Sequence, residues 1–247
     1  RDLVTEAEGV LEPLCLTYLA GYLKKNQIPI SILDLTADNI SYERLAEIIK
    51  DKNPQIIGIH ANVPLVLKAA QVAKIAKEIN KEIKIILGGH QATSLPKETL
   101  ENFSFFDIMV IGEGEETLLE LVRELNKESP DLKKVKGIAY REAGQVFINP
   151  QRPLIENLDL IPFPERELIN FSNYRPPTKA YYSKPFATMI TSRGCPFYCI
   201  FCAYARGVCR LRSPENVIGE IEELVKKYKV KSILFYDDTL TFDKERL

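Results

Sequence analysis

Residues 194–202 read Gly194-Cys195-Pro196-Phe197-Tyr198-Cys199-Ile200-Phe201-Cys202, which puts three thiols inside one short loop. Three thiolates can hold three irons of a 4Fe-4S cluster and leave the fourth iron open to a ligand. A closed zinc site needs four ligands, and Cys209, seven residues past Cys202, is the cysteine placed to complete one, so zinc stays open as a competing reading. Cys15 is distant and reads as a small buried residue on a helix. No signal peptide and no paired cysteine framework points to disulfides.

The flanking sequence sets this loop in a fold. Residues 187–191 alternate as a strand and run into Ser192-Arg193-Gly194, so the loop begins where a strand stops; Gly194 and Pro196 let the chain bend around the first thiol. Downstream, Ser213 reads as the N-cap and Pro214 as the first residue of a helix with Val217, Ile218, Ile221, Leu224, Val225 and Tyr228 at helical spacing. Residues 232–236 then form a buried strand that ends at Asp237-Asp238-Thr239. Strand, ligand loop, helix, strand is the opening of an α/β barrel or sheet, with its chemistry at the carboxyl ends of the strands.

The front of the chain repeats a short apolar strand followed by an amphipathic helix. After an apolar helix over 13–25, strands are expected over 30–35, 55–59, 83–87 and 107–111, and helices over 42–50, 65–79, 97–102 and 115–126. Leu65, Ala69, Val72, Ala76 and Ile79 fall on one helical stripe; Leu118, Leu121, Val122 and Leu125 make another. Strands this apolar, joined by crossover helices, imply a doubly wound, Rossmann-like parallel sheet covered on both faces. Ligands of such sheets sit outside the carboxyl ends of the strands, where this chain has His60-Ala61-Asn62, Gly88-Gly89-His90 and Gly112-Glu113-Gly114. Any one of these is an ordinary tight turn, but three such neighbouring turns, two of them with glycine pairs, together suit a large flat ligand. No G-x-G-x-x-G opens a helix and no G-K-[ST] is present, which argues against dinucleotides and nucleoside triphosphates. A hairpin pattern over 138–148 with Gly144 in its turn follows, then a proline-punctuated segment whose Leu158, Ile161, Phe163, Leu168 and Phe171 are too apolar to remain solvated.

The spacing Cys195-x-x-x-Cys199-x-x-Cys202, with Phe201 before the last cysteine, resembles the cluster motif of the radical S-adenosylmethionine (radical SAM) enzymes. That resemblance implies that the three cysteines hold a 4Fe-4S cluster and that its open iron chelates S-adenosylmethionine. It further implies that Phe201 lies against the adenine, and that Asp237, Asp238 and Thr239 hold the methionine amino group. The front half resembles the cobalamin-binding domains found ahead of radical SAM barrels. By that resemblance His60, Ala61, Asn62, Gly88, Gly89 and His90 cradle the nucleotide tail and corrin edge of cobalamin, and Gly112, Glu113 and Gly114 form a further turn of the site.

The pattern also departs from its relatives. No D-x-H-x-x-G is present, so the lower face of cobalt is expected to lack a histidine ligand; His60 and His90 read as turn or hydrogen-bonding residues. The first strand of the front domain is expected to be missing, and the barrel to stop after its second strand where about six units are needed by analogy. The expected organisation is a cobalamin-binding domain over 1–134, a hairpin and packed linker over 135–185, and the first part of a barrel over 186–247. A chain of this extent is expected not to turn over substrate by itself.

Bulk properties narrow the partners. A net charge of -1 gives nucleic acid no generic electrostatic attraction, and no apolar run reaches membrane-spanning length. Reduced cysteines and an oxygen-sensitive site point to the cytoplasm, a small-molecule substrate, and an electron donor such as flavodoxin or ferredoxin. The competing class is an iron-sulfur protein whose front domain is a docking module without cobalamin.

Overall fold

The computed structural model describes residues 9–176, 183–202 and 207–246. They pack as two compact units, Ile40–Leu154, and Arg1–Asn39 together with Ile155–Leu247. Packing therefore cuts the chain differently from the boundaries expected at 134/135 and 185/186. The hairpin over 138–148 extends the front sheet, and the first helix belongs with the cysteine-bearing half.

The unit Ile40–Leu154 is a mixed α/β sheet. Its strands are β1 (Ile56–His60), β2 (Lys84–Gly88), β3 (Ile108–Val110), β4 (Ile138–Glu142) and β5 (Gln145–Ile148), hydrogen-bonded in that order. The first three are parallel, joined by crossover helices, and β4 and β5 add an antiparallel hairpin at the β3 edge. The core of β2 and all of β3 are buried, which explains why they read as continuous apolar runs rather than alternating ones. Ile86, Ile108, Val110, Leu121, Val135, Ile138 and Tyr140 form the core between the sheet and the helix Glu115–Leu125. Among the described residues, 30–35 form no strand: the segment alternates half-buried and exposed positions but has no neighbour to complete a ladder.

In the other unit, helix α1 (Leu14–Lys25) packs Tyr18 against Leu158 and Ile161 of the linker, which is ordered by short 3-10 turns as its apolar content predicts. Strands β6 (Phe186–Met189) and β9 (Ser232–Phe235) are parallel and joined by the helix Pro214–Tyr228. Ser213 caps that helix, its side chain accepting from Asn216 N at 3.1 Å. Strands β7 (Ser192–Cys195) and β8 (Val208–Leu211) form an antiparallel ladder between β6 and the helix. No helix among the described residues is long and apolar enough to cross a membrane.

Candidate functional site

Strand register assembles the front rim. In the parallel pairing of β1 with β2, His60 lies directly beside Gly88, so residues distant in sequence reach the same end of the sheet. Backbone bonds then tie the turns together: Ala61 N donates to Gly88 O at 3.0 Å and Gln91 N to Ala61 O at 3.3 Å. Thr93 Oγ1 accepts from Gly112 N at 3.1 Å, linking the second turn to the third. Thr93 is a rim residue that sequence reasoning missed, because nothing in its local pattern distinguishes it from a solvated helix position.

Two of the rim glycines leave room at the surface. A Cβ built on Gly88 or Gly112 would meet no atom within 4 Å, so both face open space. Gly89 does the opposite job. Its φ of +95° and its approach to Ala61 O, 2.8 Å from where a Cβ would stand, leave no room for a side chain. The imidazole of His60 lies against this same glycine, and burial, helped by His90, lowers its pKa so that the neutral ring is favoured. Asn62 is exposed beside it, and His90 starts the short helix that follows Gly89. A rim built largely of backbone, with Gly88 and Gly112 facing open space, has room for the edge of a broad ring such as a corrin.

The cysteine loop is closed at its base by β7 and β8. Cys195 ends β7 opposite Val208, and Gly194 pairs with Cys209. Gly194 has φ +90° and sits so tightly against the Val208 carbonyl that no side chain could replace its hydrogen. The following residues turn outward: Ile200 is 97% and Phe201 89% exposed, and Cys202 N donates to Cys199 O at 3.1 Å. All five cysteines are thiols rather than disulfides. Among the described residues no three His, Cys, Asp or Glu side chains converge into a metal-holding group, so the three thiols share one loop without being drawn together. Three soft sulfur donors on one exposed loop, and no carboxylate or imidazole among them, suit an iron-sulfur cluster by chemistry. Burial, then the neighbouring Cys195 and Asp237, pushes the Cys209 thiol up.

The parallel register of β6 and β9 brings the expected acidic turn to this hairpin. Met189 pairs with Phe235, and Tyr236 N donates to Met189 O at 2.8 Å, so the next residues arrive beside Thr191 and Ser192. Asp237 Oδ1 accepts from Thr191 N at 3.0 Å, Thr191 Oγ1 at 2.8 Å and Ser192 Oγ at 2.5 Å. Asp237 thus faces the base of the cysteine hairpin, with Oδ2 the less occupied oxygen. Asp238 is exposed, and Thr239 Oγ1 stands 3.6 Å from Cys195 Sγ.

A buried charge network holds the same unit together, and sequence reading missed it. Arg166, 1% exposed, donates to Glu12 Oε2 at 2.7 Å, Glu220 Oε1 at 2.9 Å and the Thr188 carbonyl at 2.8 Å. Arg212 donates to Glu220 Oε2 at 2.5 Å and to the Ile190 carbonyl at 2.7 Å. Glu12 in turn accepts from Thr188 Oγ1 at 2.8 Å. The network joins the segment before α1, the linker, β6, the residue after β8, and the barrel helix. Burial, joined by the Glu220 carboxylate, raises the pKa of the Tyr18 phenol beside it. Three arginines close together in sequence, Arg206, Arg210 and Arg212, look like a basic loop patch, but Arg212 is buried in this network and Arg206 lies outside the described residues.

Comparison with known proteins agrees with both halves. Residues 1–122 match the B12 binding domain family and residues 189–247 the Radical SAM superfamily. The uncharacterized methyltransferase PH0819 of Pyrococcus horikoshii is 39% identical over 95% of this chain and 50% of its own length. The anaerobic magnesium-protoporphyrin IX monomethyl ester cyclase of Rubrivivax gelatinosus is 33% identical over 98% of this chain and 44% of its own. The chain thus spans half or less of the length of these curated relatives. The cobalamin-dependent S-adenosylmethionine radical enzyme OxsB, solved with aqua-cobalamin bound, superposes with a TM-score of 0.75 at 23% identity, covering 96% of this chain and 33% of OxsB. That likeness concerns the fold, and it spans both units' sequence. With a B12-binding match at the front, a radical SAM match at the back and relatives aligned across nearly its whole extent, the chain belongs to the radical SAM proteins that carry a cobalamin-binding domain.

Proposed function

We propose that the protein is a cobalamin-dependent radical SAM enzyme that methylates, or oxidatively closes or rearranges, an unactivated position of a small molecule. The observation that carries this is the cysteine hairpin at the carboxyl end of β6, with the Asp237-Asp238-Thr239 turn set against its base. When bound, the cluster would supply one electron to cleave S-adenosylmethionine into methionine and a 5′-deoxyadenosyl radical, and cobalamin a methyl group or a redox partner.

The chain's own residues bind and orient. Cys195, Cys199 and Cys202 hold three irons, and the exposed Phe201 covers the adenine face. Asp238, Thr239 and the less occupied oxygen of Asp237 meet the methionine ammonium. His60, Ala61, Asn62, Gly88, Gly89 and His90 cradle the corrin edge and nucleotide tail, with Gly112, Glu113 and Gly114 closing the rim. A neutral His60 would offer a hydrogen bond at this rim without adding a cation to it. We assign the cobalamin module to 1–134 and the cluster module to the residues from 186, with 135–185 between them. We place the protein in the cytoplasm, on five cysteines that form no disulfide, and infer a flavodoxin- or ferredoxin-like electron donor.

The test is to separate the two cofactors. After anaerobic loading with iron, sulfide and hydroxocobalamin, Cys199→Ala should lose the sulfur-to-iron charge-transfer absorbance of the cluster and keep the corrinoid spectrum. Loss of both together contradicts the assignment of each cofactor to its own set of residues.

A further inference from the structure

The turn after β9 touches the cluster loop at one atom pair that ligand binding does not explain. Thr239 Oγ1 lies 3.6 Å from Cys195 Sγ, within hydrogen-bonding reach of a sulfur acceptor. A thiolate bound to iron has no proton to give, so in the loaded protein the hydrogen of this contact belongs to the threonine.

The contact is held from both sides. Gly194 fixes the backbone just before Cys195 by its close approach to Val208, and the β7–β8 ladder holds Cys195 at the hairpin's end. On the other strand, Asp237 anchors the start of the turn through three hydrogen bonds to Thr191 and Ser192 on its Oδ1. Thr239 follows two residues later. Donor and acceptor therefore stand on backbone segments that are cross-linked to each other.

A hydrogen bond donated to a cluster sulfur withdraws electron density and favours the reduced, more negatively charged state. We propose that Thr239 is a redox-tuning residue: its hydroxyl donates to the Cys195 sulfur and raises the reduction potential of the cluster, with Asp237 as the positioning residue that holds the turn. A higher potential makes the cluster easier to reduce by its donor and leaves less driving force for opening the sulfonium bond. The turn sets that balance. This inference rests on the cluster assignment under Proposed function.

The experiment is a dye-mediated redox titration, read by the electron paramagnetic resonance of the reduced cluster, on the protein reconstituted with iron and sulfide. Thr239→Val keeps the shape and removes the hydroxyl; Thr239→Ser keeps the hydroxyl. The midpoint of T239V is expected to fall below that of the unaltered protein, and that of T239S to stay with it. If T239V titrates with the unaltered protein, or if both variants fall equally, the proposal is wrong. Should T239V fail to hold a cluster, retention by T239S assigns the hydroxyl, and failure of both overturns the proposal in favour of packing. Failure of the unaltered protein to assemble any cluster would instead contradict the cluster assignment itself.

Discussion

The two units solve the problem of holding a cofactor site in different ways. In Ile40–Leu154 the core beneath the sheet is an apolar cluster, Ile86, Ile108, Leu121 and Ile138 among its members, its buried Glu115 and Glu124 carry no buried arginine between them among the described residues, and the rim is made largely of backbone at strand ends. In the unit that bears the cysteines, Arg166 heads the fully buried side chains, clasped between Glu12 and Glu220. Apolar packing is tolerant of small shifts, and it suffices where register alone aligns His60 with Gly88. A buried ionic network has few arrangements that leave no charge unpaired, so it fixes where the linker, β6 and the barrel helix meet. The hairpin carrying the thiols grows from that junction, through Thr191 and Arg212.

Breaking the charged junction should have the largest effect. Arg166→Met leaves the Glu12 and Glu220 carboxylates buried without their common partner, which costs about 3–5 kcal/mol. Urea unfolding followed by circular dichroism should show that loss. A change below about 1 kcal/mol would mean that the network is dispensable and the contrast between the units misplaced.

A smaller effect is expected at the rim. Gly89→Ala places a side chain at φ +95° and against Ala61 O, costing about 1–3 kcal/mol locally. Hydroxocobalamin affinity, measured by absorbance titration, should fall while the cluster still assembles. Unchanged affinity would remove Gly89 from the cradle.

The least expected effect is one of pH. The pKa of His60 is depressed below its ordinary value of 6.5, because burial and His90 disfavour the charged ring. The folded state then binds fewer protons than the unfolded one. Its contribution is fully present above about 6.5 and is lost as pH falls through the lower folded value. Thermal melts of the unaltered protein should weaken below that pH, and His60→Gln should flatten this part of the profile. An identical profile in the variant would assign the dependence elsewhere.

The same contrast explains what could be read from the sequence. The longer helices and strands β1, β2, β3, β6 and β9 follow apolar periodicity, a local signal, and the capping by Ser213 was equally local, whereas β7 and β8 carry no such pattern and form only through their mutual ladder. The three cysteines and the three turns were legible because each is a short contiguous motif. Residues 30–35 carry strand-like alternation but form no strand, since a ladder depends on a partner that periodicity does not reveal. The hairpin over 138–148 was visible as a hairpin, while its union with β3 is a long-range pairing. The Glu12, Arg166, Arg212 and Glu220 network was invisible for the same reason: Glu12 and Arg166 are far apart in sequence, and each charge alone looks like solvated surface. Asp237 was found as an acidic residue at a strand end, but its hydrogen bonds to Thr191 and Ser192 appear only once β6 and β9 are in register.

The central claim is that one chain loads a cluster on its cysteine hairpin and a corrinoid on its glycine rim. Elemental analysis of anaerobically reconstituted protein after desalting tests it most directly. The account predicts about four irons and about one cobalt per chain, with zinc absent. Stoichiometric zinc in place of iron, or iron without cobalt, would contradict it.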